Sequence, residues 1–290
     1  METETRMDQF RRFLLDNLDI RGIVVNLGPA WQAMLAGRAY PPAVARVLGE
    51  MTAVSTAIAG QMKNDGRLTF QLRGSGPIQR LVIDCDQALR LRGMATADAQ
   101  VAEASAADLL GHGQLVMTLD LPELRQPIQS VVPLQGDSVA QIFEHYITQS
   151  EQSATRLLLA ADERRAAALL VQKLPDADHK DADGWTRVEH LLATVRPDEL
   201  LSLDAETLLT RLFHEDTVRV YAPRPVSYHC PEDWPKIHAM LRSLGADELQ
   251  AILDEHGEIL VKDDICNREY RLDPTAVDPL LRPEQDRTLH

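Results

Sequence analysis

Two cysteines near the C-terminus, Cys230 and Cys266, are the residues whose type and spacing best suit site chemistry. Cys266 stands in a short polar turn between two apolar runs, a pattern that predicts strand, tight turn and strand. That pattern is typical of a small metal-ribbon module, in which each of two turns usually contributes a pair of cysteines. Here the partner positions are acidic, with Glu232 following Cys230 and Asp263 preceding Cys266. The segment therefore looks like a four-thiolate site from which two thiolates are missing.

Zinc binding is one hypothesis for this segment. Carboxylate oxygens can bind zinc, but structural zinc sites strongly prefer Cys and His. Three histidines stand nearby in the sequence, and none occupies either acidic position: His229, His238 and His256. If zinc binds, its ligands are the two cysteines together with the two acidic residues named above, or with one of these histidines as a substitute. The alternative is a metal-free module held by aliphatic packing, so the sequence establishes no cofactor and raises only zinc.

Cys230 also supports a rival hypothesis, a thiol-dependent enzyme that uses His229 or His238 as its base. A nearby helix N-terminus would lower the pKa of the Cys230 thiol, whereas the neighbouring acids Glu232 and Asp233 oppose that shift. No Gly-x-Ser-x-Gly motif surrounds any serine, so a hydrolase triad has no support either. We therefore predict that the protein is not an enzyme. The third cysteine, Cys85, is flanked by carboxylates that raise a thiol pKa, and we interpret it as structural.

The elements that must position these residues predict an α+β protein. Residues 1–176 are predicted to form an antiparallel sheet with helices. Residues 177–222, called the linker below, are predicted to be acidic and helical. Residues 223–273 are predicted to form a small zinc-ribbon-like module, because two short helices precede the strand, turn and strand around Cys266. Residues 274–290 are polar and rich in proline, which predicts a disordered tail.

Within the first domain, hydrophobic periodicity separates helices from strands. Helical spacing of Phe10, Phe13 and Leu18 predicts a helix over residues 9–19. Small residues in the segment that begins at Pro41 and Pro42 predict a long helix that approaches its neighbours closely. Short apolar runs with turns between them predict an antiparallel meander. These runs cover residues 68–72, 78–84, 89–94, 114–119 and 128–134.

The linker combines negative charge with apolar stripes. Residues 174–216 contain eleven Asp and Glu against four Lys and Arg, a net charge of −7. The same stretch repeats apolar residues at helical spacing, which predicts amphipathic helices. We expect the stripe to dock on the first domain and the internal charge repulsion to keep that docking reversible.

Composition excludes several classes of function. The 290-residue chain has a net charge of −14 and a pI near 5.1, so it lacks the clustered basic residues that nucleic acid or an anionic membrane requires. A ribbon-type nucleic-acid binder is therefore disfavoured. No apolar run approaches the ~20 residues of a membrane helix. An odd count of three cysteines and a polar, acidic N-terminus predict a cytoplasmic protein. A homodimer is left open.

Several short motifs follow one another in a specific order along nearly the whole chain. They lie at residues 21–22, 65–66, 71–77, 92–95, 146–155, 212–215, 241–244 and 252–259, followed by Cys266. In this order and spacing the chain resembles the heat-shock protein 33 family, the redox-regulated bacterial holdase chaperones. The resemblance implies an ATP-independent holdase that binds unfolded or partly folded client proteins.

The resemblance also assigns the family's four zinc-binding cysteine positions to Cys230, Glu232, Asp263 and Cys266. In the family, four thiolates hold zinc in the reduced, inactive protein. Oxidation forms two neighbouring disulfides, expels the zinc, unfolds the linker and exposes client-binding surface. This chain cannot form either neighbouring disulfide, so the resemblance implies a degenerate redox switch. If the four-position geometry persists, Cys230 and Cys266 face each other closely enough to form a single disulfide.

Overall fold

The computed structural model describes residues 8–281. In that range the strands are β1 (Gln9–Leu15), β2 (Ile20–Leu27), β3 (Arg67–Arg73), β4 (Ile78–Asp86), β5 (Arg90–Ala97), β6 (Gln114–Asp120), β7 (Ile128–Val132), β8 (Thr155–Ala161), β9 (Ala166–Lys173), β10 (Val218–Val220), β11 (Arg224–Pro225), β12 (Ser227–Tyr228), β13 (Ile259–Asp263) and β14 (Arg268–Leu272). The helices are α1 (Pro29–Leu35), α2 (Pro42–Ala59), α3 (Ala106–Leu110), α4 (Val139–Glu151), α5 (Ala177–Lys180), α6 (Gly184–Leu192), α7 (Pro197–Ser202), α8 (Ala205–Leu212), α9 (Trp234–Leu244), α10 (Ala246–His256) and α11 (Pro274–Leu281). The α+β class is confirmed. None of these helices has the length and apolar character needed to cross a membrane.

The chain divides into two compact units, and the second begins at Cys230. The first unit contains two sheets. Sheet A has the order β10-β1-β2-β9-β8, with β11 also paired to β1, and every pair in it is antiparallel. Sheet B has the order β12-β5-β4-β3-β6-β7. The five predicted runs are its strands β3 to β7, but they do not form one meander, because β6 pairs with β3 and not with β5. Its one parallel pair, β12 with β5, joins segments far apart in sequence.

Helix α2 contacts strands of both sheets and is buried along most of its length. Its small residues let it approach sheet A closely, as predicted. A Cβ added to Gly49 would lie 2.5 Å from the Cβ of Ala161 and 3.1 Å from the Trp31 ring. Any larger residue at position 49 would therefore push the helix away from the sheet.

The helix predicted over residues 9–19 is wrong, because residues 9–15 form β1. This strand is buried on both faces. Phe10 packs into the core around α2, whereas Phe13 and Leu15 pack against the opposite face of sheet A. Apolar residues on both sides of a strand remove the alternation that identifies one, so the spacing of this segment imitates a helix.

The second unit contains α9, α10, the β13–β14 hairpin and α11. It begins later than the predicted boundary at residue 223, because β11 and β12 pair with sheets of the first unit. The tail that we expected to be disordered forms α11, and Val277 is fully buried in a small core with Leu249, Tyr270 and Leu272. Residues 282–290 lie outside the described residues.

Candidate functional sites: the cysteine pair and the covered sheet face

The two cysteines of the second unit lie in adjacent turns. Cys230 precedes α9, and Cys266 lies in the turn between β13 and β14. The structure joins them by a disulfide whose Cα atoms are 5.7 Å apart, a usual separation for such a bond. Cys230 is buried, and its carbonyl oxygen accepts a hydrogen bond of 3.1 Å from Nη2 of Arg268. The bond therefore ties the start of α9 to the hairpin.

Asp263 organises the turn that contains Cys266. Its Oδ1 accepts hydrogen bonds from the backbone N–H groups of Ile265 at 2.9 Å and Cys266 at 3.3 Å. Aspartate commonly caps tight turns in this way, by accepting from amides two and three residues later. Asp263 therefore stabilises the local shape of the turn, where the resemblance places a thiolate ligand.

Glu232 holds the other turn by contacts with two side chains. Its Oε2 accepts a hydrogen bond of 2.9 Å from Nε1 of Trp234, and its Oε1 lies 3.8 Å from Nη1 of Arg268. Arg268 thus bridges the Cys230 carbonyl and the Glu232 carboxylate. Both acidic positions are therefore engaged in contacts, Asp263 within its own turn and Glu232 through Arg268 between the two turns.

These residues do not fit a zinc ion. Both sulfurs are consumed by the disulfide, Oδ1 of Asp263 is bound to backbone amides, and Glu232 faces a tryptophan and an arginine. Across residues 8–281, no group of three or more His, Cys, Asp or Glu is arranged so that it could hold a metal ion. In this disulfide-bonded form, the donors that the sequence raised as a metal site make structural contacts instead.

The thiol-enzyme hypothesis finds no supporting geometry. Cys230 is bonded to Cys266 and offers no thiolate. His238 packs against the Trp234 ring, with centroids 5.8 Å apart, and the backbone N–H of His229 donates to the Leu91 carbonyl at 2.9 Å. The remaining thiol, Cys85, is fully buried, and burial together with Asp86 raises its pKa to about 12. A thiol with this pKa is protonated at neutral pH and is a poor nucleophile.

The second candidate site is one face of sheet A, called the covered face below. Helices α6, α7 and α8 of the linker pack on it and bury a continuous apolar cluster. On the sheet, this cluster comprises Phe13, Leu15, Ile20, Val24, Ala160, Ala167, Leu169 and Val171. From the linker helices, it comprises Val188, Leu192, Leu200, Ala205, Leu208, Leu209 and Leu212. The docking predicted from the amphipathic stripe thus has its surface on sheet A.

An aromatic pair closes the end of the covered face where the linker helices finish. The rings of Phe13 and Phe213 have centroids 6.1 Å apart. Gly22, which pairs with Phe13 across β1 and β2, leaves the space that the Phe13 ring occupies. A Cβ added at Gly22 would lie 2.2 Å from Cζ of Phe13. A side chain at position 22 would displace the ring and disturb the contact with Phe213.

A buried carboxylate anchors the linker just after α8. The Asp216 side chain is only 2% exposed, and its two oxygens accept from Nη1 and Nη2 of Arg187 at 2.8 and 2.9 Å. Oδ1 also accepts from Nδ2 of Asn17, in the turn between β1 and β2, at 3.0 Å. The hydrogen bonds from Arg187 lower the pKa of Asp216 from its ordinary value of 3.8. The ionised carboxylate therefore stabilises the docked linker.

Ion pairs cross the boundary between the linker and the covered face. Arg11 of β1 pairs with Glu206 of α8. Arg156 of β8 lies 2.7 Å from the carboxylate of Glu189 in α6. Sequence reasoning missed these cations. No alternation marks Arg156, which is the one charged residue of β8, and the helical interpretation of residues 9–19 hid Arg11.

Comparison of the chain with known proteins agrees with this geometry. The family model described as Hsp33 protein matches residues 8–273. This chain belongs to the heat-shock protein 33 family. A 33 kDa chaperonin from Chromobacterium violaceum is 41% identical over 269 residues, which cover 92% of this chain and 91% of the relative. One from Methylobacillus flagellatus is 38% identical over 279 residues, which cover 96% of this chain and 95% of that protein.

The fold is also similar to a solved structure, the 33 kDa chaperonin (heat shock protein 33 homolog) from Thermotoga maritima. The TM-score is 0.79 at 21% sequence identity, and the match covers 94% of this chain and 98% of that one. The family names support a chaperone function for the Hsp33 member described here. The missing cysteines at positions 232 and 263 do not prevent it from adopting the family fold.

Two of the motifs that carried the resemblance contribute residues to a polar network that joins α4 to sheet A. Nε of Arg21 donates to Oε1 of Gln172 at 2.7 Å, and Nε2 of Gln172 donates to Oε2 of Glu151 at the same distance. Gln172 is only 2% exposed, so these bonds satisfy groups that would otherwise be costly to bury. The residues that carried the resemblance at 21–22 and 146–155 are therefore structural contacts of the first unit.

Proposed function

We propose that the protein is an ATP-independent holdase that binds unfolding proteins on the covered face after the linker has moved away. The observation that carries this proposal is the construction of that face. It is a continuous apolar surface, and its cover is a set of short amphipathic helices with a strongly negative charge. Short helices depend on such tertiary contacts for their stability, so the cover is the part of the first unit most easily released.

ATP independence is supported by the turn that contains the Gly-x-Gly sequence of residues 74–76. Such a sequence can belong to a phosphate loop, but this turn has a different role. Residues 74–77 form the turn between β3 and β4, and the backbone N–H of Gly76 donates to the Leu110 carbonyl at 3.3 Å. A phosphate loop needs such amides free to bind the nucleotide. Holding clients without a nucleotide therefore suits this chain.

The redox switch of this holdase is proposed to be degenerate. Only one disulfide can form in the second unit, and it holds that unit together. Activity is expected to follow release of the linker by heat or by competition from clients. Acidic composition and the cysteine count support action in the cytoplasm, and the homodimer raised by the sequence remains part of the proposal.

A client-aggregation assay tests the function. Leu209 lies on the buried side of α8 and is 1% exposed, so Leu209→Asp places a charge in the buried cluster and should release the linker. Thr210, the next residue, is exposed, and Thr210→Asp is the matched control. Light scattering by a heat-denaturing client would be followed without ATP.

We expect Leu209→Asp to suppress aggregation at temperatures where wild-type protein and Thr210→Asp are still inactive. Wild-type protein should suppress aggregation once heating releases the linker. If none of the three proteins reduces light scattering at any temperature, the holdase function is wrong.

A further inference from the structure

The charges on the covered face all have one sign. Strand pairing places Arg11, Arg156 and Lys173 on the same side of sheet A as Phe13 and Val171. The other residues that the six described strands of sheet A present on this side are uncharged. The chain as a whole has a net charge of −14, whereas the charged residues on this side of the described strands are all positive. The covered face therefore differs in sign of charge from the rest of the chain.

Each cation is paired with an acid from a different linker helix. Glu206 of α8 pairs with Arg11, Glu189 of α6 with Arg156, and Asp178 of α5 with Lys173, the last at 2.5 Å. The three contacts are distributed along the linker, so they define a pattern of acidic groups around an apolar stripe. Release of the linker removes all three acids at once.

Arg11 is the least exposed of the three cations and therefore depends most on an anionic partner. Its side chain is only 15% exposed, and its Nε is buried with no hydrogen-bond partner among the described residues. When Glu206 leaves, a poorly hydrated guanidinium remains beside an apolar surface. A buried cation in this position strongly favours an anionic group in whatever segment binds next.

Two further contacts depart from this arrangement of positive sheet residues and acidic linker residues. Arg156 also lies 3.6 Å from Glu144 of α4, so it keeps one acidic neighbour after the linker has left. At the turn between β1 and β2 the polarity reverses, and Lys180 lies 3.5 Å from Asp19. That pair lies beyond the end of the strands and leaves the charge of the covered face unchanged.

We propose that the covered face selects client segments that present an apolar stripe flanked by acidic side chains, so that the linker is a resident substitute for such a client. This inference rests on the proposed holdase function. Acidic segments regain the three ion pairs, whereas basic segments place like charges against Arg11, Arg156 and Lys173. Like-charge contacts of this kind are an effective means of rejecting a partner.

Peptide binding to the full-length Leu209→Asp protein tests the inference. One labelled peptide has the sequence of residues 177–213, which includes all three acids, and the second has the same apolar residues with every Asp and Glu replaced by Lys. We expect the acidic peptide to bind about tenfold more tightly at low salt, since partly exposed ion pairs contribute up to about fivefold each. The preference should shrink at high salt, because screening weakens exposed pairs.

Charge reversal on the sheet provides the matched comparison. Arg11→Glu with Arg156→Glu, added to Leu209→Asp, should bind the lysine peptide more tightly than the acidic one. Arg164→Glu is the control, because Arg164 lies in the turn between β8 and β9 with a 78% exposed side chain, and it should keep the acidic preference. Circular dichroism would establish that each variant is folded. The salt titration of Leu209→Asp with Arg11 and Arg156 intact tests the inference without the charge reversals.

The inference would be overturned if Leu209→Asp with Arg11 and Arg156 intact bound the two peptides equally at low salt or preferred the lysine peptide. Either result would leave the holdase function intact. If Leu209→Asp binds neither peptide and also fails to suppress client aggregation, the proposed function itself has failed.

Discussion

The linker and the second unit are both small, charged and partly helical, yet they are held in different ways. The helical part of the linker, from α5 to α8, has no covalent cross-link to the covered face. It is held by one apolar stripe, the buried Asp216 and a few ion pairs. The second unit has its own core around Leu249 and Tyr270, and a disulfide joins its two turns. The second unit is thus held together internally by a covalent bond and its own core, whereas only non-covalent contacts hold the linker helices on the covered face.

This difference bears on the two cysteines that the chain lacks. In the switch implied by the family resemblance, oxidation of the C-terminal module unfolds the linker. Here Asp263 and Glu232 stabilise the two turns, and oxidation of the remaining cysteines closes the module. We therefore expect the same bond-forming reaction to act in the opposite sense on local stability.

The largest effect is expected from removing the disulfide. In the chain-entropy model, a bond that closes a loop between residues 36 apart contributes roughly 3–4 kcal/mol. Cys230→Ser with Cys266→Ser should lower the free energy of unfolding of the second unit by about that amount. Amide hydrogen exchange in β13 and β14 measures the loss, and exchange in α6 and α8 should not change.

Reductant serves as the control for this prediction. It should accelerate exchange in β13 and β14 of the wild-type protein and have no effect on the double variant. Equal exchange in oxidised and reduced wild-type protein would show that the bond does not stabilise the second unit, and the comparison with the linker would then be lost.

A smaller effect is expected from Asp216, which anchors the linker. Asp216→Asn leaves the Arg187 guanidinium without its carboxylate and should destabilise linker docking by about 1–3 kcal/mol. Asp198→Asn is the matched control, because the Asp198 and Arg196 side chains are 69% and 67% exposed and such pairs contribute about 0–1 kcal/mol. Exchange protection in α6 and α8 measures both changes.

The pKa of Asp216 adds a pH dependence with a defined sign. Because its pKa is lower in the folded state, the ionised carboxylate stabilises docking above the unfolded value of 3.8. That stabilisation is lost as the pH falls through the lower, folded pKa. Linker protection in the wild-type protein should therefore decrease below pH 3.8, and Asp216→Asn should lack this component. A decrease of the same size in the variant would assign the acid sensitivity to other carboxylates.

The smallest effect is expected from peroxide. Cys230 and Cys266 are already paired in the structure, and Cys85 is buried with a pKa of about 12, so no reactive thiolate is available. Treatment of the disulfide-bonded protein should change client-aggregation suppression by less than about twofold. Strong activation that survives Cys230→Ser and Cys266→Ser would require another oxidant target and would contradict this account of the linker.

The sequence by itself determined the family, the α+β class, the helical acidic linker and the presence of cysteines in only two of four ligand positions. These features depend on residue identity and on local periodicity, both of which a single sequence contains. The apolar stripe of the linker showed that it must dock, because an amphipathic helix needs a partner surface.

Tertiary structure decided which surface that is and what the acidic substitutions do. Strand β1 has apolar residues on both faces, so its spacing imitated a helix until its pairing with β2 and β10 was known. The positive character of the covered face arises from Arg11, Arg156 and Lys173, which are far apart in sequence and meet only through strand register. The contacts of Asp263 and Glu232 likewise depend on side chains brought together by folding, and residue type alone could not distinguish a metal ligand from a turn cap.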